Sequence, residues 1–211
     1  MPSPTDLAGL WSAALLIAAA PLLWPGVRRL PRAGLALLLA ATAILALAPL
    51  GGLTPAGYVR GVLGDLSLTT TVLLLRALGR PFFGWGPIDP RSRLALQGVV
   101  AGGGLALYPF ALGLGPVDPY RLGYATPWFV GLVLLLALAA WLQRLPLVSL
   151  CLAGAVLAYA LGGHESTNLW DYVLDPLVSI WGLTGLLFQG ARHLWRSLTA
   201  PHKQSSGSPP S

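Results

Sequence analysis

The chain has 211 residues, of which 55% are hydrophobic and only 9% are charged, and its formal net charge is +6. In water-soluble domains about a quarter of all residues are charged, so this composition excludes an ordinary soluble globule. Long apolar runs with few charges indicate that lipid surrounds the protein. The basic residues are spread between apolar segments instead of forming one patch, which argues against nucleic acid as a partner.

The first apolar run, residues 7–24, could be mistaken for a secretory signal. No basic residue precedes it, and the cluster of Arg28, Arg29 and Arg32 follows it. A secretory signal has the reverse order, with its positive charges first. The run is therefore predicted to be a first membrane helix whose N-terminus is outside the cell.

Seven apolar segments approach the length of about 20 residues that a membrane-spanning helix needs. They cover residues 7–24, 33–50, 58–78, 93–112, 127–143, 146–161 and 176–195. Thr126 and Asp175 each place a capping oxygen before a proline, which is typical of a helix start. The sequence predicts an all-α integral membrane protein, a seven-transmembrane-helix bundle over residues 1–198. The Ser/Pro/Gly-rich residues 199–211 are predicted to be a disordered tail.

The charges separate when the turns between these segments are assigned alternately to two sides of a membrane. One side then receives 11 of the 13 basic residues: Arg28, Arg29, Arg32, Arg76, Arg80, Arg91, Arg93, Arg144, Arg192, Arg196 and Lys203. The other side receives six of the seven acidic residues: Asp6, Asp65, Asp118, Glu165, Asp171 and Asp175. Basic loops stay in the cytoplasm, so the N-terminus is predicted outside and the C-terminus inside.

This threading makes three hairpins that close on the outer face, at residues 52–60, 115–121 and 163–172. Each turn begins at a glycine and reaches an aromatic residue flanked by charge. Duplicated hairpins are a known route to membrane folds whose sites lie between repeats. Chance similarity among Gly/Pro-rich turns is an equally good explanation of so few shared residues.

Two arginines on the acidic side, Arg60 and Arg121, break the charge pattern and need partners or a water-lined setting. Guanidinium groups there could bind an anion such as a lipid phosphate. They could equally form structural ion pairs or extend to the headgroups. The candidate binding residues at the three turns are Arg60, Asp65, Asp118, Tyr120, Arg121, His164, Glu165, Asn168, Trp170 and Asp171.

Asp65 is predicted to lie inside the third helix, about 10 Å below a start near Tyr58. A carboxylate within a membrane span is a candidate functional group. The alternative is that the helix begins at Asp65, which would then be its N-cap.

Recognisable catalytic and metal motifs are lacking in the sequence. His164 and Glu165 are followed by Asn168 where a metalloprotease helix needs a second histidine, so no metal and no cofactor are expected. There is no G-x-S-x-G elbow for a nucleophile. Gly98 and Gly102, with Gly103 and Gly104 following, form a small-xxx-small pattern that predicts close packing of the fourth helix against a neighbour.

Three classes of function remain open for a multi-pass protein of the bacterial inner membrane. The first is an accessory or scaffold subunit of cell-envelope machinery, whose outer turns bind a membrane-protein partner. The second is a small integral enzyme acting on a lipid-linked or anionic substrate, with acidic residues as the base and arginines holding phosphate. The third is a small-solute transporter. Membrane lipid is an expected partner in all three.

Overall fold

The computed structural model describes residues 4–124 and 126–199, and all regular elements in that part of the chain are helical. The α-helices are α1 (Pro4–Ala19), α2 (Arg32–Leu47), α3 (Pro55–Leu63), α4 (Leu68–Phe83), α5 (Pro90–Ala111), α6 (Pro127–Leu142), α7 (Pro146–Ala160), α8 (Leu169–Val173) and α9 (Pro176–Thr199). Short 3-10 turns lie at Ala20–Leu23, Val27–Arg29 and Tyr120–Gly123. The prediction of an all-α protein is confirmed.

Six of the seven predicted segments form one α-helix near the predicted bounds. The helices α6 and α9 begin at the prolines after Thr126 and Asp175, and α7 begins at Pro146, the first residue of its predicted segment. The helix α5 begins three residues earlier than predicted, because Asp89 caps it by accepting the backbone N–H of Ser92 at 2.9 Å. Proline at the first helical position has no N–H to leave unpaired, which is why such starts are sharp.

The third predicted helix was wrong, because it is broken in two. Helix α3 ends at Leu63 and is followed by Gly64, whose φ of +75° is costly for any other residue. Helix α4 begins after Ser67, whose hydroxyl accepts the N–H of Thr70 at 3.2 Å. Asp65 lies in the non-helical break between them. It is therefore neither inside a continuous helix nor the N-cap, contrary to both sequence-based alternatives.

Most of the helices are shorter than a lipid-spanning helix ordinarily is. Within the described residues, Thr5–Leu23 and Pro90–Ala111 are long and apolar enough to cross a membrane. Three apolar helices are shorter, namely α2, α6 and α7. A 16-residue helix extends about 24 Å, whereas the hydrocarbon core of a bilayer is about 30 Å thick. The predicted set of seven full-length spans is thus only partly present.

The C-terminal helix is longer than predicted. Helix α9 continues to Thr199, so the first residue of the predicted tail is helical. The rest of that tail, residues 200–211, lies outside the described residues.

The helices pack around one large apolar core and one small one. The large core lies among the five helices from α5 through α9 and includes Leu96, Cys151 and Tyr172. The small core holds α1, α2 and α3 together through four buried alanines, Ala13, Ala14, Ala46 and Ala56. Alanine permits close approach of the helices but supplies little apolar area, so polar contacts matter more in this part of the molecule.

Glycines bring α5 and α9 into close contact, and one of them belongs to the predicted glycine run of α5. A Cβ built on Gly104 would lie 2.8 Å from that of Ser179, and one on Gly182 would lie 2.5 Å from a methyl carbon of Val100. Gly98 and Gly102 have no neighbour within 4 Å of such a Cβ. The predicted close packing of this helix is therefore confirmed at Gly104, the last glycine of the run, whereas Gly98 and Gly102 lie away from the contact.

Candidate functional site

The acid-rich turns meet at one end of the molecule, around the side chain of Arg60. Its Nε donates to Asp65 Oδ1 at 2.7 Å, its Nη1 lies 3.1 Å from Asp6 Oδ1, and its Nη2 lies 2.8 Å from Glu165 Oε1. The side chains of Arg60 and Asp65 are only 17% and 11% exposed. One guanidinium group thus joins three carboxylates that come from the start of α1, the α3–α4 break and the turn after α7. We call these four residues the Arg60 cluster.

A glycine of α1 makes room for this cluster. A Cβ on Gly9 would lie 2.1 Å from Asp65 Oδ1 and 2.3 Å from Arg60 Nε. A non-bonded carbon atom cannot approach an oxygen or nitrogen atom so closely, so α1 can pack against the ion pair only because residue 9 has no side chain. Sequence reasoning missed Gly9, since it lies in an apolar run with no sign of a distant charged partner.

Asp175 fixes the break between α3 and α4. The carboxylate is only 4% exposed, and its Oδ2 accepts the backbone N–H of Ser67 at 2.9 Å. Its Oδ1 accepts the N–H of Val178 at 2.9 Å, as the predicted cap of α9. The same side chain therefore caps one helix and anchors the start of another. Thr69 adds a second link, because its hydroxyl donates to the carbonyl oxygen of Val173.

The second and third turns are joined by Asp171. Its Oδ2 accepts the hydroxyl groups of Tyr120, at 2.7 Å, and Ser166, at 2.5 Å. Burial and the hydrogen bond to Asp171 raise the pKa of Tyr120, so its hydroxyl remains a protonated donor. The indole N–H of Trp170 donates to the carbonyl oxygen of Pro119 at 3.0 Å. These contacts hold α8 against the Tyr120–Gly123 turn.

Asn168 completes this junction and is fully buried. Its Nδ2 donates to the carbonyl oxygen of Tyr120 at 2.9 Å, and its Oδ1 accepts the N–H of Trp170 at 2.9 Å. A Cβ on Gly123 would coincide with the Asn168 amide. Glycine at that position thus allows the buried amide to pair with the facing backbone.

His164 lies flat on the ring of Tyr172, with ring centroids 4.3 Å apart and planes inclined by 10°. The Tyr172 hydroxyl oxygen accepts the backbone N–H of His164 at 3.0 Å. His164 Nδ1 is buried and has no hydrogen-bond partner among the described residues. Burial lowers the pKa of His164, so its ring is neutral at neutral pH. Burial raises the pKa of Tyr172, which keeps that hydroxyl protonated.

Two candidate residues are not part of this assembly of side chains. Asp118 Oδ1 accepts the backbone N–H of Arg121 at 3.2 Å, which is a local turn contact. The side chain of Arg121 is exposed, and all ion pairs within the described residues involve Arg60 instead. Of the alternatives predicted for Arg121, pairing with a carboxylate is not seen among the described residues, because its turn directs the main chain, and not the guanidinium, toward Asp118. Anion binding and extension to the headgroups stay predictions.

A cavity of about 760 Å³ opens beside the Arg60 cluster. Five carboxyl groups and one guanidinium line it, from Asp6, Arg60, Asp65, Glu165, Asp171 and Asp175. Within the described residues, no group of three His, Cys, Asp or Glu side chains could hold a metal ion. The excess of carboxyl groups makes the cavity repel an anion and attract a cation or a polar neutral group.

An apolar cavity of about 350 Å³ adjoins the acidic one, between α5 and α9. Leu105, Leu112 and Ile180 are among its lining residues. Tyr108 and Pro176 line both cavities. The two cavities thus match the two parts of an amphiphile. The charged cavity on one side of Tyr108 suits a polar head group, and the apolar cavity on the other side suits a hydrocarbon chain.

Sequence and structure comparisons supply no family to guide the interpretation of this site. No family model, no curated protein and no solved structure matches the chain. The roles of the site residues therefore depend on geometry and chemistry alone.

Proposed function

We propose that the chain is a multi-pass protein of the bacterial inner membrane with an accessory or scaffold role in the cell envelope. Its surface supports the membrane location, because large apolar side chains are exposed on nearly every helix. Helix α6 alone exposes Leu132, Leu134, Leu135, Leu136, Leu138 and Leu142, by 42–73%. Soluble proteins rarely expose such continuous apolar patches, whereas lipid solvates them.

Short helices are compatible with a membrane location. A bilayer thins locally around a short span, or flanking residues extend to the interface, at a cost of a fraction of a kcal/mol per Å of mismatch. Aromatic and basic residues stand where such anchoring is needed. Trp24 is 74% exposed next to Arg28 and Arg29, and Trp195 is 70% exposed next to Arg196. The seven-span threading with the Arg60 cluster outside remains part of this proposal.

The observation that carries the scaffold role is that the polar groups at the acidic end bind one another. Arg60 contacts three carboxylates, and Asp171 accepts two hydroxyl groups. Groups committed to structural contacts are less available for acid–base chemistry, which needs a residue within reach of a substrate proton. The interlocked turns instead form a rigid surface on which a partner protein can bind.

Photo-cross-linking in native membranes tests this role. Cross-linking residues placed at Val117 and Tyr124, which are 60% and 49% exposed at the acidic end, should each give one discrete protein adduct. Matched residues at Leu135 and Leu138 on the lateral face of α6 should give lipid adducts. Deletion of the chain should lower the abundance of the cross-linked partner. The scaffold role fails if neither end position forms a protein adduct.

Cysteine labelling tests the threading separately. Cys151 is the only cysteine and is fully buried, so new cysteines can be labelled in its presence. A cysteine at Val117 should react with an impermeant reagent added to intact cells, whereas one at Arg144 should react only after the membrane is opened. Equal labelling of both positions in intact cells contradicts the threading.

A second function, binding of an amphiphile for transport or chemistry, is favoured by the paired cavities. An acidic cavity favours a cationic or neutral head group over the anionic substrate considered from sequence alone. Replacing Leu105 with Trp fills the apolar cavity and leaves the Arg60 cluster intact. If the Leu105→Trp variant no longer replaces the unaltered protein in cells that lack it, while its cross-linking to the partner is unchanged, the amphiphile is favoured over the scaffold role.

A further inference from the structure

The opposite end of the molecule holds a second large cavity, of about 690 Å³. It lies between the 3-10 turn after α1, the start of α2, the end of α4 and the start of α5. Arg28, Arg80 and Arg93 line it together with Trp85, and no carboxyl group does. We call it the arginine cavity. The arginine cavity lies where α1 and α4 end, whereas the Arg60 cluster lies where these two helices begin.

Among the described residues, the three guanidinium groups of the arginine cavity have no carboxylate within ion-pair distance. All ion pairs within residues 4–124 and 126–199 involve Arg60, at the acidic end. Arg28 Nε donates to the carbonyl oxygen of Leu22 at 2.6 Å, which orients this guanidinium at the cavity. All three arginines are exposed, so solvent weakens their mutual repulsion, but an anion bound in the cavity they line would still be attracted by each of them.

Trp85 lines one wall of the cavity, and Phe83 stacks on it from outside the lining. Phe83 and Trp85 stack with ring centroids 5.0 Å apart and are 70% and 43% exposed. Trp85 lies against α4 at Gly79, where a Cβ would be only 2.5 Å from the indole ring. Exposed aromatic rings of this kind lie at the level of the lipid headgroups in membrane proteins. The cavity therefore opens where lipid phosphates are concentrated.

We propose that the arginine cavity binds a phosphate group, supplied by the headgroup of an anionic lipid. Guanidinium groups bind phosphate oxygens in a bidentate manner, and basic pockets between membrane helices on the cytoplasmic side bind anionic headgroups. A free phosphate offers the same chemistry, but the aromatic wall favours a lipid. This site is independent of the acidic end, so it stands whether or not the scaffold role is correct.

Titration of the full-length protein, delipidated in a neutral detergent, tests the proposal. The probes are short-chain phosphatidylglycerol, phosphatidylcholine with the same chains, and inorganic phosphate, with the thermal unfolding midpoint and Kd as readouts. We expect phosphatidylglycerol to bind more tightly than phosphatidylcholine. Each arginine removed should weaken binding about fivefold, so Arg80→Gln with Arg93→Gln should weaken it about 25-fold.

Arg192→Gln is the matched control, because Arg192 is exposed near the end of α9 and does not line the cavity. It should leave lipid binding unchanged. If inorganic phosphate displaces phosphatidylglycerol at a similar concentration, the phosphate site is supported and its ligand is the free ion. Equal binding of both lipids, or an unaltered double variant, overturns the proposal.

A second double variant covers the case in which the glutamine variant does not fold. Arg80→Lys with Arg93→Lys keeps both charges but removes the planar fork that holds two phosphate oxygens. It should retain the helical circular dichroism spectrum and bind phosphatidylglycerol several-fold more weakly than the unaltered protein. Binding equal to that of the unaltered protein counts against a phosphate held by these guanidinium groups.

Discussion

The two ends of this molecule use arginine in opposite ways. At the acidic end Arg60 is surrounded by three carboxylates and is only 17% exposed. At the other end Arg28, Arg80 and Arg93 line a cavity without a carboxyl group. A charge that is paired within the fold contributes to folding, whereas unpaired charges that converge are available for a ligand. The contrast assigns stability to the first set and ligand binding to the second.

The largest loss of stability is expected when Asp175, at the acidic end, is replaced. Its removal in Asp175→Ala leaves the buried N–H groups of Ser67 and Val178 without their acceptor. Loss of a cap and an unsatisfied buried donor should together lower the free energy of unfolding by about 3 kcal/mol. Chemical denaturation in detergent measures this loss. Asp118→Ala, which removes one exposed turn contact, should cost less than about 1 kcal/mol.

Removal of the Arg60 charge should have the next largest effect. In Arg60→Gln three carboxylates remain close together without a cation, and unfolding should become easier by about 2 kcal/mol. Arg93→Gln at the opposite end should change the lipid-free stability by less than about 0.5 kcal/mol, because it breaks no ion pair. Thermal unfolding of both variants in the same detergent makes the comparison. Equal losses in both variants contradict the contrast between the two ends.

The fit of α1 against the cluster is expected to contribute less. Gly9→Ala introduces a methyl group at the position of the Arg60–Asp65 contact and should destabilise the protein by about 1 to 2 kcal/mol. Gly61→Ala in α3 is the control, since a Cβ there meets no atom within 4 Å. That substitution should be neutral or stabilising by up to about 1 kcal/mol, because alanine favours a helix over glycine. A neutral Gly9→Ala variant would mean that α1 does not pack on the ion pair.

The smallest expected effect is a dependence of stability on pH at His164. The pKa of His164 is lowered in the folded protein by burial, so the unfolded chain binds the proton more readily. Stability contributed by the neutral ring is therefore present above the unfolded pKa of about 6.5 and is lost as the pH falls below it. Melting temperatures at pH 7.5 and 5.5 measure the loss. His164→Phe keeps a ring on Tyr172 and should reduce the difference.

How far the sequence could anticipate the structure depends on how local each feature is. The starts of α6, α7 and α9 follow from prolines that act within one helical turn. The break at Gly64 was missed, although Gly64, Asp65 and Ser67 interrupt the apolar run there, because apolar residues resume on both sides and the whole stretch has the length of one span. Its anchor, Asp175, is 108 residues away from Ser67. No local pattern carries that information.

The candidate site was anticipated in its residues but not in its pairings. Arg60, Asp65, Glu165, Asn168, Trp170 and Asp171 all lie at the acidic end, as the positions of the turns predict. The side chain of Arg121 stands apart, Gly9 belongs to the assembly although sequence reasoning left it out, and Asp175 was predicted as the cap of α9 but not as the partner of Ser67. Their roles come from close approach of separate helices, which depends on atoms that a single segment does not contain.

The sequence by itself determined the helical composition, the apolar surface and the separation of acidic from basic turns, because these follow from residue type and short-range spacing. Only the tertiary structure decided which charges neutralise one another and which remain available. Arg60 meets Asp6, 54 residues earlier in the chain, and Glu165 beyond α7. Coulomb energy depends on distance in space, and only packing of the helices sets that distance.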